Sequence, residues 1–222
     1  MIVKVMNIKA LMEPDELQRQ LEQLSEMRRK KALTHQQTKA RALCVGAGIL
    51  LEKTLREEYA LTEEEIQKLQ YKEGEYGKPV LAQYPQIHFN LSHSGEYVAC
   101  VVAEDTVGID IQEMKEYREK VAKRFFSEYE KKLLDCVKNS EEKKKLFYQI
   151  WTGKESYTKL LGNGLTKTMS GYSIKVYDGV IEENGKITEY KVSYPWEQDG
   201  YLCCICSKEL PMQNNRATLV AL

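Results

Sequence analysis

The feature that most constrains the fold is the order in which two hydrophobic periods follow each other. Apolar residues recur at helical spacing over residues 14–59 and then alternate, as in strands, over residues 70–111. The same order repeats, with helical spacing over residues 115–161 and alternation over residues 172–207. Runs of helices followed by runs of strands are typical of α+β proteins rather than of parallel sheets with crossover helices. We therefore predict an α+β fold organised as two similar lobes.

The two lobes are expected to meet where the second round of elements begins. No Gly/Ser-rich or Pro-rich linker separates them, so we expect the lobes to pack tightly. We place residues 1–106 in the N-terminal lobe and residues 107–222 in the C-terminal lobe.

The charge balance of the 222-residue chain excludes some classes of function. Lys and Arg together number 33, as do Asp and Glu, so the formal net charge is zero. A field over the whole molecule that attracts nucleic acid or an anionic membrane is therefore not expected.

No apolar run approaches the ~18 residues that a membrane span needs. Met1–Ala10 carries two lysines and is predicted to form a first strand rather than a signal peptide. We expect a cytoplasmic protein.

The six cysteines fit a reducing compartment. Cys44, Cys100 and Cys136 stand singly in apolar stretches, which is typical of buried thiols in the cytosol. Cys203-Cys204-x-Cys206 resembles part of a metal site, but no second Cys or His pair stands at zinc-like spacing. We expect these three cysteines to fill a strand.

The most informative strand is Val107–Gln112. Alternate side chains of a strand share a face, so its three β-branched residues face a core while Gly108, Asp110 and Gln112 face the other way. Gly108 is expected to leave open space beside Asp110, which suits a ligand that approaches the backbone. The alternative is an edge strand with a solvated polar face, and spacing alone favours this alternative.

A second candidate lies on a predicted helix. Trp151, Glu155 and Lys159 are spaced four residues apart and therefore share one face. The alternative is a surface ion pair between Glu155 and Lys159, worth only ~0.3–0.5 kcal/mol.

Two further segments present polar side chains at turns and strand ends. Tyr76–Pro79 is a turn that presents Lys78, and Phe89–Ser94 ends a strand with Ser92 and His93. Neighbouring residues of a strand face opposite sides, so Ser92 and His93 do not form a nucleophile–base pair, and no Gly-x-Ser-x-Gly elbow is present. Both segments fit anion-binding corners better.

Together these four segments, in this order and at these spacings, resemble the 4′-phosphopantetheinyl transferase family, and most closely its broad-specificity, surfactin-synthetase-activating type. Phe125–Ser127 and Gly162–Leu165 extend the resemblance nearly from end to end. The resemblance implies a monomer of two lobes related by a pseudo-two-fold axis, with the active site between them. It also implies magnesium-dependent transfer of the phosphopantetheine arm of coenzyme A to a serine of an apo acyl, peptidyl or aryl carrier protein. 3′,5′-ADP is released, and the expected setting is secondary metabolite biosynthesis.

The resemblance assigns the metal to Asp110 and Glu155. Gln112 stands where the family often has Glu and some members have Gln. An amide oxygen can ligate magnesium or hold a bound water, but it adds no negative charge. We therefore expect weaker or differently shared metal binding.

Other catalytic roles also follow from the resemblance alone. Lys154 is expected to reach the phosphates, with Lys159 nearby, and Glu130 to take the proton from the attacking serine. Ser127-x-x-Glu130 is also a helix capping box, and both interpretations of Glu130 stay open.

Coenzyme A is expected to be held by basic and polar side chains. The resemblance assigns the 3′-phosphate to Arg28 and Lys31, and a second matching segment contains Arg41. The remaining phosphates and the adenosine end are assigned to Lys78, Ser92, His93 and Lys154. The alternative for the run that contains Arg28 and Lys31 is a solvated charged face.

Two other functions remain open at this stage. One is a coenzyme A-binding protein with a defective metal site, which only Gln112 favours. The other is a nucleic-acid or interaction module built on the basic run 28–31, against which the zero net charge and the lack of nearby stacking aromatics count.

Overall fold

The protein is described by a computed structural model that covers residues 1–74, 77–162, 168–210 and 217–222. Within these ranges there are seven α-helices and eleven strands. The helices are α1 Pro14–Gln23, α2 Glu26–Leu33, α3 Thr38–Tyr59, α4 Glu63–Gln67, α5 Glu119–Phe125, α6 Glu128–Cys136 and α7 Ser140–Leu161. The strands are β1 Ile2–Asn7, β2 Tyr71–Glu73, β3 Pro79–Leu81, β4 His88–Ser94, β5 Tyr97–Ala103, β6 Val107–Glu113, β7 Tyr172–Lys175, β8 Val180–Glu183, β9 Lys186–Gln198, β10 Tyr201–Ser207 and β11 Thr218–Leu219.

The first sheet has the strand order β11-β1-β5-β4, in which β11 is parallel to β1 and the other pairs are antiparallel. The long helix α3 packs on β1 and β5. A Cβ atom on Gly46 would lie only 3.0 Å from side-chain atoms of Met6 and Ile8. The glycine therefore permits close packing of the helix on the sheet.

The second sheet has the strand order β6-β10-β9-β8-β7 and is antiparallel throughout. Helix α7 packs on β6 and β10 and ends at Gly162, which has the left-handed conformation that glycine favours. Cys203, Cys204 and Cys206 fill β10 and are buried, which is also as predicted. Cys136 is exposed at the end of α6, so the expectation that it is buried is wrong.

Each sheet shares an apolar core with its helices, and a third apolar core lies between the two sheets. Val3 and Val5 of β1 pack there with Ile109 of β6 and Trp196 of β9. The two sheets therefore pack tightly against each other. The two largely antiparallel sheets with helices on them confirm the predicted α+β fold.

Strand β6 is also attached to β4 by side chains. Alternate residues of β4 accept its backbone N–H groups: Ile109 N donates to Asn90 Oδ1 at 2.9 Å, Ile111 N to Ser92 Oγ at 3.2 Å and Glu113 N to Ser94 Oγ at 3.0 Å. These bonds fix the register of the two strands where the two sheets meet. We call this line of contact the seam.

Candidate functional site

The carboxylate of Asp110 lies at the seam and is only 2% exposed. Its Oδ1 atom accepts hydrogen bonds from Ser92 Oγ at 2.9 Å and Lys159 Nζ at 2.7 Å. Its Oδ2 atom accepts one from Gln112 Nε2 at 3.0 Å. Lys159 Nζ also donates to Ser92 Oγ at 2.8 Å. The structure thus brings four of the predicted site residues together.

Gly108 permits this arrangement in a way that the sequence did not indicate. A Cβ atom on Gly108 would lie 2.0 Å from the carbonyl oxygen of Ser156 and 2.6 Å from the backbone nitrogen of Leu160. The expected open space for a ligand beside Gly108 is therefore absent, because α7 fills it. The glycine instead allows α7 to approach β6 closely enough for Lys159 to reach Asp110.

Glu155 lies one helical turn before Lys159 and is partly buried. Burial and then the negative charge of Asp110 raise the pKa of Glu155, and Lys159 opposes the shift. A partly buried carboxylate whose pKa is raised by a neighbouring carboxylate is stabilised in its charged form by a cation.

The donor set at this place fits magnesium. The Asp110 and Glu155 carboxylates and the Gln112 amide offer oxygen atoms, which Mg²⁺ prefers. Among the described residues no three or more His, Cys, Asp or Glu side chains form a metal-ligating group. A third protein oxygen would therefore come from Gln112, and Lys159 now supplies the positive charge that Asp110 needs.

A cavity of about 490 Å³ opens between α2, α3 and strands β2 to β4. Arg28, Lys31 and His93 line it, so the structure brings these predicted anion ligands together. The Nε atom of Arg28 and the hydroxyl of Tyr71 are buried there without a partner among the described residues. Burial and then the positive charge of Lys159 lower the pKa of His93. We call this space the basic cavity.

Arg41 and Lys78 are not among the residues that line the basic cavity. Arg41 Nη2 donates to the carbonyl oxygen of His35 at 2.9 Å and its Nε atom to the same oxygen at 3.2 Å. Lys78 Nζ donates to Val107 O at 2.9 Å and to Leu160 O at 3.3 Å. Both side chains therefore hold backbone segments in this conformation. Tyr76, which precedes Lys78 in the predicted turn, and residues 163–165 lie outside the described residues.

Lys154 and Glu130 form an ion pair of 2.9 Å in which both side chains are 0% exposed. Their other partners are mostly backbone groups: Lys154 Nζ donates to Met169 O and Tyr172 O, and Glu130 accepts from Ser127 N and Ile174 N. Burial raises the pKa of Glu130 and lowers that of Lys154, and the pairing opposes both shifts.

This placement bears on the two interpretations of Glu130. The capping box is confirmed, because Ser127 Oγ also accepts from Glu130 N. Neither Glu130 nor Lys154 reaches solvent, so in this conformation Glu130 does not meet an attacking serine and Lys154 does not meet a phosphate. The pair instead attaches α7 to α6 and β7.

A cleft of about 630 Å³ lies on the other side of the seam. Gln112 and Trp151 line it, and Leu43 lines both this cleft and the basic cavity. Lys115 and Arg118, which the sequence analysis did not single out, also line the cleft. Their only signal in the sequence is their position just after β6.

The fold and the site define an α+β protein of two main sheets with a carboxylate–ammonium cluster at the seam, between a basic cavity and an open cleft. Residues 106–206 match the family model of the 4′-phosphopantetheinyl transferase superfamily. Over these residues the chain is similar to this superfamily.

Three curated relatives with the same description are also similar to this chain. The 4′-phosphopantetheinyl transferase Sfp of Bacillus subtilis (strain 168) is 35% identical over 134 residues, which are 60% of this chain and 58% of the relative. A second 4′-phosphopantetheinyl transferase of Bacillus subtilis is 40% identical over 104 residues, which are 47% of this chain and 46% of the relative. The 4′-phosphopantetheinyl transferase gsp of Aneurinibacillus migulanus is 36% identical over 140 residues, which are 62% of this chain and 57% of the relative.

These relatives confirm the predicted resemblance to the family and to its Sfp type. The chain spans less than two thirds of the length of each relative. None of the helices in the described ranges is both long enough and apolar enough to cross a membrane.

Proposed function

We propose that this protein is a 4′-phosphopantetheinyl transferase that moves the phosphopantetheine arm of coenzyme A to a serine of an apo carrier protein and releases 3′,5′-ADP. The observation that carries the proposal is the cluster of Asp110, Ser92, Gln112 and Lys159 between the basic cavity and the cleft. A phosphorylated donor in the cavity and an acceptor in the cleft would meet at this cluster.

The basic cavity is the proposed site of the donor nucleotide. Arg28, Lys31 and His93 offer hydrogen bonds to a phosphate ester. Hydrogen bonds in which the donor or the acceptor is ionised are stronger than neutral ones. The unpartnered Nε atom of Arg28 supports this assignment, because buried polar atoms ordinarily have partners. Lys78, Ser92 and Arg41 would contact the donor only after exchanging their present partners for phosphate oxygens.

Asp110, Glu155 and Gln112 are the residues that would hold magnesium. The ion would supply positive charge to the pyrophosphate while the serine oxygen bonds to the phosphorus on the pantetheine side and the bond from that phosphorus to the bridging oxygen breaks, so that 3′,5′-ADP leaves with the bridging oxygen. Lys159 is bound to Asp110 Oδ1 in the present structure and lies where it can neutralise the same phosphates. Glu155, with its raised pKa, stands beside it as the proton acceptor for the serine hydroxyl. We assign Lys154 and Glu130 to positioning α7.

Other features of the proposal rest on the family resemblance. These are a monomer with lobes 1–106 and 107–222, a cytoplasmic location, and a carrier protein of secondary metabolite biosynthesis as acceptor. The tight seam and the shared core support one compact unit.

Release of 3′,5′-ADP tests the proposed function. The purified protein is incubated with coenzyme A, magnesium chloride and several apo carrier proteins, and nucleotides are separated by liquid chromatography. We expect 3′,5′-ADP only when an apo carrier is present. Binding of coenzyme A without 3′,5′-ADP in any mixture would instead favour a coenzyme A-binding protein with a defective metal site, which is the alternative that Gln112 suggests.

A further inference from the structure

Glu52 is a buried carboxylate that takes no part in the proposed chemistry. It lies on α3, is only 1% exposed, and accepts a hydrogen bond from the backbone N–H of Ser25, at 3.1 Å to Oε1 and 3.4 Å to Oε2. Arg56 Nη2 lies 3.8 Å from Oε2. Burial raises the pKa of Glu52, while Ser25, Arg56 and Arg28 oppose the shift.

Ser25 is the residue that precedes α2, and its own side chain makes no capping bond to that helix. The first N–H groups of a helix need partners from outside the helix. Glu52 supplies an acceptor at this end from the neighbouring helix. An eight-residue helix such as α2 is not stable by itself, so its position depends on such tertiary contacts.

Helix α2 carries Arg28, which is 5% exposed and lines the basic cavity. The Arg28 side chain crosses the face of α3 that contains Cys44, Gly48 and Glu52, which are spaced four residues apart. Arg28 Nη2 donates to Cys44 O at 3.1 Å. A Cβ atom on Gly48 would lie 3.2 Å from Arg28 Nε. The same stripe of α3 therefore holds both the start of α2 and the guanidinium.

We propose that Glu52 is a positioning residue for the basic cavity: by capping the start of α2 from α3, it holds Arg28 where the guanidinium binds a phosphate monoester of the donor nucleotide. The proposal rests on the proposed function, because it takes the basic cavity as the donor site. Glu52 acts through Arg28 and does not itself touch the nucleotide.

The test is direct binding of 3′,5′-ADP and of 5′-AMP, which lacks the 3′-phosphate, measured by isothermal titration calorimetry. Glu52→Ala removes the acceptor, and we expect its Kd for 3′,5′-ADP to rise roughly tenfold, as expected for the loss of a hydrogen bond to a charged group. Its Kd for 5′-AMP should change by less than about threefold. Glu52→Gln keeps an oxygen acceptor for Ser25 N and should restore tight binding of 3′,5′-ADP. Glu58→Ala removes an exposed glutamate from the same helix and is the matched control.

A second variant removes the same hydrogen bond from the donor side and serves if Glu52→Ala does not fold. Ser25 has φ −52° and ψ 152°, values that proline adopts, so Ser25→Pro removes the N–H without forcing the backbone. It should reproduce the selective loss of 3′,5′-ADP binding.

Three results obtained with the variants would overturn the proposal. The first is an equal loss for both nucleotides, which indicates a structural role only. The second is unchanged binding in Glu52→Ala and Ser25→Pro, and the third is a Glu52→Gln variant as weak as Glu52→Ala. If the wild-type protein binds both nucleotides equally well, the assignment of the basic cavity to the donor fails and the proposal fails with it. If the wild type and Glu52→Ala both keep the same preference for 3′,5′-ADP over 5′-AMP, the assignment of the basic cavity to the donor stands. Only the proposed role of Glu52 is then contradicted.

Discussion

The buried ammonium of Lys78 should make the free energy of unfolding depend on pH, and the structure gives the size of this effect. Its ammonium lies between two backbone carbonyls, and within the described part of the chain no acidic side chain forms an ion pair with it. Burial lowers the pKa of Lys78 to about 8, against an ordinary value of 10.5. The folded protein therefore releases this proton at a lower pH than the unfolded chain does.

The sign of the effect follows from proton binding. Between about pH 8 and 10.5 the unfolded chain binds more protons at Lys78 than the folded protein, so the free energy of unfolding rises with pH in that window. The difference between the two pKa values lowers the free energy of unfolding by roughly 3 kcal/mol at neutral pH. Of this cost, roughly 2 kcal/mol should be recovered between about pH 7 and about pH 9.5.

Urea unfolding at both pH values measures this recovery. We expect the wild-type free energy of unfolding to gain roughly 2 kcal/mol relative to Lys78→Met when the pH is raised, because only the wild type has this buried amine. Lys72→Met, which removes an exposed lysine from the same hairpin, should follow the wild type. Identical pH dependence in all three proteins would refute the burial of a charged Lys78.

Three further predictions concern the site and its support. Gly108→Ala places a Cβ against the backbone of α7, so we expect a destabilisation of more than about 2 kcal/mol, measured by thermal unfolding, whereas a wild-type melting temperature would contradict the close contact. Glu130→Gln leaves the buried Lys154 ammonium without its carboxylate, so we expect a loss of about 3–5 kcal/mol in the free energy of unfolding; full stability would mean that the pair carries no charge. Gln112→Glu adds a carboxylate beside Asp110, so the Kd for Mg²⁺ should fall, as measured by calorimetry without coenzyme A. An unchanged Kd would place residue 112 outside the metal site.

Elements with a long apolar period were predictable from the sequence. The end of α3 at Tyr59 agrees with the predicted end of helical spacing at residue 59, because the apolar stripe runs through the whole helix. Strand β8 and helix α4 were not predicted, since four and five residues hold too short a period to recognise. The chemistry of the site was predicted as a set of residue types and not as a set of contacts.

Gly108 and Lys154 show why the contacts could not be read from the sequence. A glycine beside Asp110 signals a close approach, but the sequence does not say whether a ligand or a helix makes it, and here α7 does. Lys154 and Glu155 are neighbours on α7, and successive side chains of a helix point about 100° apart. Only the packing of α6 and β7 on α7 determines that Lys154 faces inward to Glu130.

The central claim is that the cluster at the seam transfers a phosphopantetheine group to a carrier protein, and intact-protein mass spectrometry of the acceptor tests it most directly. Apo carrier proteins are incubated with coenzyme A, magnesium and either the wild-type protein or Asp110→Asn, which keeps the shape of the side chain and removes its charge. We expect the wild type to add the mass of phosphopantetheine to a carrier serine, and Asp110→Asn to add none. A wild-type protein that leaves every carrier unmodified, or an Asp110→Asn variant that modifies it at the wild-type rate, would contradict this account.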